Sequence, residues 1–123
     1  MITNALSTMR VIEELQDLVP DDGVTGARSS GRGSIARNTA GTREIYRGSK
    51  ALNMLMRSFA ARQPESSPAM LLLAPSWIRT GLGGPDAPFT IEETIPVLVS
   101  LVLAEQGMPG LRYPDRFGVA VRW

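Results

Sequence analysis

The amino-acid sequence predicts an α/β fold in which parallel strands alternate with crossover helices. Segments with apolar residues at helical spacing alternate along the chain with short apolar runs, which is the order of strand–helix–strand units. Residues 69–74 (AMLLLA) are apolar at every position, which is typical of a strand buried on both faces of a parallel sheet. Only two or three such strands are predicted, so the chain has the pattern of one part of a larger sheet.

The first half of the chain predicts a helix, a strand and a loop. Apolar residues recur every three or four positions in residues 4–18, which predicts a helix with one apolar face. Residues 24–30 stand where the next strand is expected, although Gly26 and Arg28 interrupt the apolar run and predict a poor strand. Residues 31–42 are rich in Gly, Ser, Asn and Thr and predict a loop.

The second half predicts two further helices. Residues 44–62 carry an apolar stripe from Leu52 to Phe59 and predict one helix. After the strand at 69–74 and a long loop at 75–89, Thr90 and Glu93 form a capping-box signature that opens a helix ending near residue 105. Residues 111–123 are expected to form a small hairpin around Pro114.

Composition excludes several kinds of chemistry. The sequence has no Cys and no His, which removes thiolate nucleophiles, histidine-based triads and the commonest zinc ligands. Acid–base work therefore falls to carboxylates, Tyr46, Tyr113 or Lys50, the only lysine beside twelve arginines. The net charge of +1 argues against nucleic acid or an anionic membrane surface as a partner. No apolar run reaches the ~20 residues of a membrane span, so we expect a cytoplasmic protein.

One short motif points to proton transfer. Tyr46 and Lys50, in the run YRGSK, are four residues apart and share one helix face. A cation beside a phenol favours the phenolate and lowers its pKa, so the pair can give or take a proton at a substrate oxygen. The spacing alone also occurs by chance on many helices.

The residues around this motif resemble the short-chain dehydrogenase/reductase family. Tyr46-x-x-Ser49-Lys50 followed by residues 51–53 (ALN) is similar to the catalytic helix of that family. Residues 29–33 (SSGRG) resemble its serine segment, residues 74–80 (APSWIRT) its loop beside the nicotinamide, and Asn4 its helix asparagine. Within the family, the chain is similar to carbonyl reductases related to the bacterial C-factor signalling protein.

The resemblance implies a role for each matching residue. Tyr46 would be the general acid/base, Lys50 would lower the Tyr46 pKa and bind the nicotinamide ribose, and Ser30 would hydrogen-bond the substrate oxygen. Ser29 is an alternative to Ser30, one position earlier. Asn4 would support a proton-relay water, with a helix cap as its alternative role.

The loop at residues 74–80 would serve the cofactor and the substrate. By the resemblance, Pro75, Ile78 and Thr80 would bind the nicotinamide side of NAD(P), and Trp77 would line the substrate pocket. The fold implied is the C-terminal half of a Rossmann-like doubly wound parallel sheet with three α/β/α layers, as one partial domain over residues 1–123. The reaction implied is reduction of a small carbonyl compound or oxidation of an alcohol.

The sequence departs from the family at three places. No strand with a Gly-rich phosphate turn precedes these segments, and residues 31–36 (GRGSIA) lack the following helix and acidic residue of such a turn. We therefore expect truncation of the domain, weak cofactor binding and impaired turnover. Ser76 replaces the usual Gly, which predicts a strained turn. One alanine rather than two follows Lys50, so the helix beyond it must rotate by ~100° unless the first turn is distorted.

A second hypothesis is a non-catalytic interaction protein. The first two helices resemble those that form the oligomer interface in this family, and an open sheet edge favours association. The chain would then form a homo-oligomer or bind a complementing chain. We expect no metal site, because the carboxylates at residues 13–22 have the pattern of a solvated helix face and turn.

Overall fold

The computed structural model describes residues 2–39, 41 and 44–123. A π-helical turn at Ile2–Ser7 leads into α1 (Thr8–Leu15) and a 3₁₀ turn at Gln16–Leu18, and β1 follows at Val24–Arg28. The predicted loop contains a 3₁₀ turn at Gly31–Gly33, while Ala40 and Thr42 of that loop lie outside the described residues. The remaining elements are α2 (Glu44–Gly48), a 3₁₀ turn at Ser49–Ala51, α3 (Leu52–Ala60), β2 (Ala69–Leu73), α4 (Ile91–Ala104) and β3 (Gly110–Arg112).

The three strands form a parallel sheet in the order β1–β2–β3. Val24 pairs with Ala69 at the start of β1 and Arg28 pairs with Leu73 at its end, so all five residues of β1 are in register with β2. The strand expected at residues 24–30 is therefore present over Val24–Arg28 and fully paired, despite Gly26 and Arg28. Gly26 forfeits little packing in the strand, because a side-chain carbon at that position would have no neighbouring atom within 4 Å to contact. The α/β fold with a parallel sheet is confirmed.

The core lies where α1 and α3 pack against each other and where α3 packs on β2 and β3. On α3, Leu52, Met56 and Phe59 are buried, as the apolar stripe predicted. Met70 and Leu72 of β2 belong to this core. Leu71 points to the opposite face by the two-residue period of a strand and is also fully buried, so β2 is covered on both faces.

The predicted single helix at residues 44–62 is broken. At Lys50 the backbone leaves helical geometry (φ −86°, ψ 16°), so a 3₁₀ turn separates α2 from α3. The distorted turn, which was the alternative to a rotated helix, is therefore the form that the chain takes. With it, Tyr46 contacts Lys50 while the stripe from Leu52 to Phe59 faces the core.

The C-terminal prediction was wrong in part. Residues 110–112 form β3, a third parallel strand beside β2, rather than the first arm of a hairpin. Only one antiparallel bridge, between Pro114 and Ala120, is formed in the described residues after β3. The parallel pairing places the end of β3 beside the end of β2, where Ala74 bridges to Asp115. None of the described helices is both long and apolar enough to cross a membrane.

Candidate active site

The carboxyl ends of the three strands meet at one edge of the sheet. Ser29 and Ser30 follow β1, Ala74 follows β2, and Tyr113 follows β3. Ligands of parallel α/β sheets bind at this edge, outside the carboxyl ends of the strands. The segments that carry the predicted site residues therefore converge because of the sheet topology.

Tyr46 and Lys50 lie against each other across the end of α2. The Lys50 Nζ is 4.6 Å from the centroid of the Tyr46 ring. Tyr46 is 43% exposed and Lys50 is half-buried. The side chain of Ser49, between them in the motif, lies outside the described part of the chain. The structure thus brings together the phenol and the ammonium that the spacing predicted, even though the helix breaks between α2 and α3.

The two serines after β1 have different environments. Ser29 is 4% exposed, and its hydroxyl donates to Asn53 Oδ1 at 2.5 Å. Ser30 lines the cavity beside Tyr46, and its hydroxyl oxygen accepts from the backbone N–H of Arg32 at 3.2 Å. Ser30, the serine favoured by the resemblance, is therefore the one whose hydroxyl is available near the phenol.

The surroundings of Tyr46 change its acidity. Burial raises the pKa of the Tyr46 phenol, whereas a hydrogen bond with Ser30 and the charge and hydrogen bond of Lys50 lower it. The charge of Arg28 lowers it further. The net effect holds the Tyr46 pKa below its ordinary value of 10.0, so the phenol exchanges a proton more readily than an isolated tyrosine.

The loop after β2 forms the facing side of the site. Trp77 Nε1 donates to the Gly83 carbonyl at 2.7 Å, and the Gly83 N–H donates to Thr80 Oγ1 at 2.9 Å. A side chain at Gly83 would come within 1.9 Å of the Ile78 carbonyl oxygen, so this turn requires glycine. Ser76 has φ 74°, in the left-handed region, as its replacement of a glycine predicted.

A cavity of about 630 Å³ lies between these two sides. It is lined by Ser30 and Tyr46 on one side and by Trp77, Ile78 and Thr80 on the other. This volume is in the range of small-molecule sites. Five of the predicted site residues therefore line one open cavity.

Three predicted residues lie outside the cavity lining. Pro75 is buried beside it, between Ala74 and Ser76, which line it. Lys50 is not a lining residue, but its Nζ contacts the Tyr46 ring. Asn4 is exposed on the π-helical turn, which packs against the 3₁₀ turn that holds Lys50. The turn places Asn4 near the Tyr46–Lys50 segment without giving it a place on the cavity wall.

Sequence reasoning missed two features of the site. Tyr113 is 3% exposed, and its hydroxyl donates to the Ser30 carbonyl at 2.5 Å, which fixes the backbone of the predicted catalytic serine. No local pattern links these residues, which are 83 positions apart.

Four arginines also line the cavity: Arg28, Arg32, Arg37 and Arg47. The excess of arginine over lysine in the sequence indicated that arginine supplies most of the positive charge, but it did not show which arginines lie at the site.

Three similar proteins place this geometry in a family, although no family model matches the chain. The C-signal of Myxococcus xanthus is 33% identical over 96 residues, which are 77% of this chain and 58% of that protein. A protein from Burkholderia multivorans, described as a short-chain dehydrogenase/reductase with bound NADP, is 58% identical with a TM-score of 0.93. It is matched over 99% of this chain and 53% of its own.

A carbonyl reductase from Pseudomonas aeruginosa in complex with NADP gives the same result at lower identity. It is 35% identical, with a TM-score of 0.88 over 99% of this chain and 54% of its own. The chain thus spans about half the length of the relatives it matches. These matches confirm the family inferred from the residues: the chain belongs to the short-chain dehydrogenase/reductase family.

Proposed function

We propose that this chain carries the acid–base half of an NAD(P)-dependent reaction that reduces a carbonyl compound or oxidises an alcohol. The observation that carries the proposal is the contact of Tyr46 with Lys50 and Ser30 at a cavity on the carboxyl edge of a parallel sheet. Two of the similar structures contain NADP, which supports this cofactor class.

The roles proposed for the residues are those that the resemblance to the family implies. Tyr46 donates a proton to the carbonyl oxygen during reduction and removes it during oxidation. Ser30 hydrogen-bonds the same oxygen and stabilises its developing charge. Lys50 lowers the Tyr46 pKa and binds the nicotinamide ribose. Asn4 supports a water that relays protons towards Lys50.

The residues facing Tyr46 fit the nicotinamide end of the cofactor. Ile78 and Thr80 line the same cavity as the phenol, and an apolar side chain beside a polar one suits the nicotinamide ring and its carboxamide. Ile78, Thr80 and Pro75 would hold that end, Trp77 would face the substrate, and the bound cofactor would supply or accept the hydride. These residues contact only one end of the cofactor, so we expect weak binding by these 123 residues.

Replacement of Tyr46 by phenylalanine tests the proposal. We expect Tyr46→Phe to lower kcat for reduction of a small ketone by about 10²–10⁴-fold, the usual contribution of one acid–base group. Ser30→Ala should lower it less, and Ser58→Ala, at an exposed position on α3, should leave it unchanged. Oxidation of NADPH, followed by absorbance, is the measurement. Equal activity of Tyr46→Phe and the parent chain would exclude the proposed acid.

A second function is favoured by the exposed face of α4. Ile91, Ile95, Val99 and Leu103 recur every four residues along one row and are 46–57% exposed. Such an exposed apolar row is typical of a surface that binds another protein chain. On this hypothesis the chain is a self-associating or partner-complementing protein. Light scattering after size exclusion should show a dimer or larger species, and a monomer that melts cooperatively would contradict it.

A further inference from the structure

Positive charge is concentrated on the side of the cavity that carries Ser30 and Tyr46. Arg28 ends β1, Arg32 and Arg37 belong to the segment that follows it, and Arg47 lies in α2. The segment from Ala74 to Gly83, which lines the facing side, contains one cation, Arg79, which is not among the lining residues and whose Nε donates to the Ala87 carbonyl. For a chain with a net charge of +1, this is a strong local excess of cations.

The described lining of the cavity has little negative charge to balance Arg28, Arg32 and Arg37. Asp115 is the one carboxylate among its described lining residues. Its Oδ1 already accepts from the backbone N–H groups of Phe117 at 2.9 Å and Val119 at 3.0 Å, so it stabilises the turn after β3. The ion pairs among the described side chains, Arg62–Glu13 and Arg112–Glu105, involve no cavity residue. Within the described residues, Arg28, Arg32 and Arg37 therefore have no carboxylate partner within 4 Å.

The arginine segment is tied to Ser30, whose side chain hydrogen-bonds the Tyr46 phenol. The backbone N–H of Arg32 donates to Ser30 Oγ at 3.2 Å, and Arg47 Nη1 donates to the Arg32 carbonyl at 3.2 Å. Arg37 Nη1 lies 3.7 Å from the position that a side-chain carbon would take on Gly31, so its guanidinium lies beside the segment that follows Ser30. Arg32, Arg37 and Tyr46 line the same cavity, so one small molecule bound there can contact all three.

We propose that the substrate carries an anionic group, a carboxylate or a phosphate, in addition to its carbonyl or alcohol. Arg32 and Arg37 bind the anion, and Arg28 adds positive charge near the reacting oxygen. Guanidinium groups suit this task because they pair with carboxylate and phosphate oxygens through two parallel hydrogen bonds. The inference rests on the proposed function for the reaction, but the binding preference can be measured without turnover.

The test compares matched ligands by titration calorimetry on the full chain at low salt, with no cofactor present. The probes are pentan-2-one, 4-oxopentanoate and dihydroxyacetone phosphate. We expect at least one of the two anionic ketones to bind about tenfold more tightly than the neutral ketone. Arg32→Gln and Arg37→Gln should each remove most of that preference, and Arg37→Lys should retain part of it. Added salt should weaken only the anionic ligands.

A matched control and a cofactor titration separate the outcomes. Arg10→Gln, at an exposed position on α1, should change nothing. A tighter carboxylate or a tighter phosphate identifies the anion. Equal binding of charged and neutral ketones, or no binding of any of them, overturns the proposal. The proposal is also overturned if Arg32→Gln and Arg37→Gln weaken NADP⁺ and leave 4-oxopentanoate unchanged. Loss of reductase activity with retained anion preference would instead contradict only the proposed reaction.

Discussion

The helical segment at residues 44–60 and helix α4 both carry apolar side chains, but the first buries them against the rest of the chain and the second leaves them largely exposed. The first segment breaks at Lys50, and its α3 part buries Leu52, Asn53, Met56 and Phe59. Helix α4 is unbroken over 14 residues and buries Thr94 alone among its described residues. Tertiary packing thus holds the irregular segment that carries Tyr46, whereas α4 has a strong local start signal and buries little of its surface.

The capping of the two segments follows the same division. Helix α4 begins with a complete capping box, in which Thr90 Oγ1 accepts from the Glu93 N–H and Glu93 accepts from the Thr90 N–H. Helix α3 begins at Leu52, directly after the kink, and its N-cap residue Ala51 makes no side-chain capping bond. Its position depends instead on contacts with α1 and the sheet. We therefore expect core substitutions to disturb the structure near the proposed site more than the structure of α4.

The largest expected effect comes from one substitution made in both segments. Leu52 is 2% exposed and Leu103 is 57% exposed. Leu52→Ala should lower the free energy of unfolding by about 2–5 kcal/mol, because it removes buried contacts and leaves a cavity. Leu103→Ala should change it by about 0.5 kcal/mol or less. Urea unfolding followed by circular dichroism measures both, and equal losses would mean that α4 is as well packed as α3.

The acidity of Tyr46 depends on the turn at Lys50. Lys50→Met removes a charge and a hydrogen bond that favour the phenolate, so the Tyr46 pKa should rise towards its ordinary value. Because alcohol oxidation needs the phenolate as base, its rate should rise with pH through this pKa. The profile of the variant should therefore lie at higher pH. Ultraviolet titration of the phenolate checks the shift, and Arg57→Met, which lies outside the Tyr46 interactions, is the control.

The capping box should matter only to α4. Thr90→Ala removes the hydroxyl that accepts from Glu93 and should cost about 1 kcal/mol, with faster amide hydrogen exchange in the first turn of α4. Thr90→Ser keeps the hydroxyl and should restore most of the protection. Exchange that also rises at residues 44–60 would show that the two segments unfold together.

A small gain in stability is expected in the loop that joins β2 to α4. Ser76 is the only described residue other than glycine with a positive φ. Ser76→Gly should stabilise the chain by about 0.5–1 kcal/mol, because relief of the left-handed strain exceeds the extra chain entropy of glycine. Ser66→Gly, where φ is not positive, should destabilise it by a similar amount. Thermal unfolding of the two variants gives opposite signs if the strain is real.

Local patterns in the sequence predicted much of the secondary structure. The stripe on α3, the apolar run of β2 and the box at Thr90 and Glu93 depend on residues close in sequence, so periodicity and capping rules identified them. The distorted turn at Lys50 was also foreseeable, because one alanine rather than two follows that residue. The four-residue spacing of Tyr46 and Lys50 identified the pair for the same reason.

The sequence by itself determined which elements form and which chemical groups are available, because those depend on neighbouring residues. Only the tertiary structure decided that residues 110–112 pair in parallel with β2, and that Tyr113 holds the Ser30 backbone across 83 positions. It also decided that Arg28, Arg32 and Arg37 meet at one cavity. Strand pairing and long-range contacts depend on how distant segments pack, and no local pattern records that arrangement.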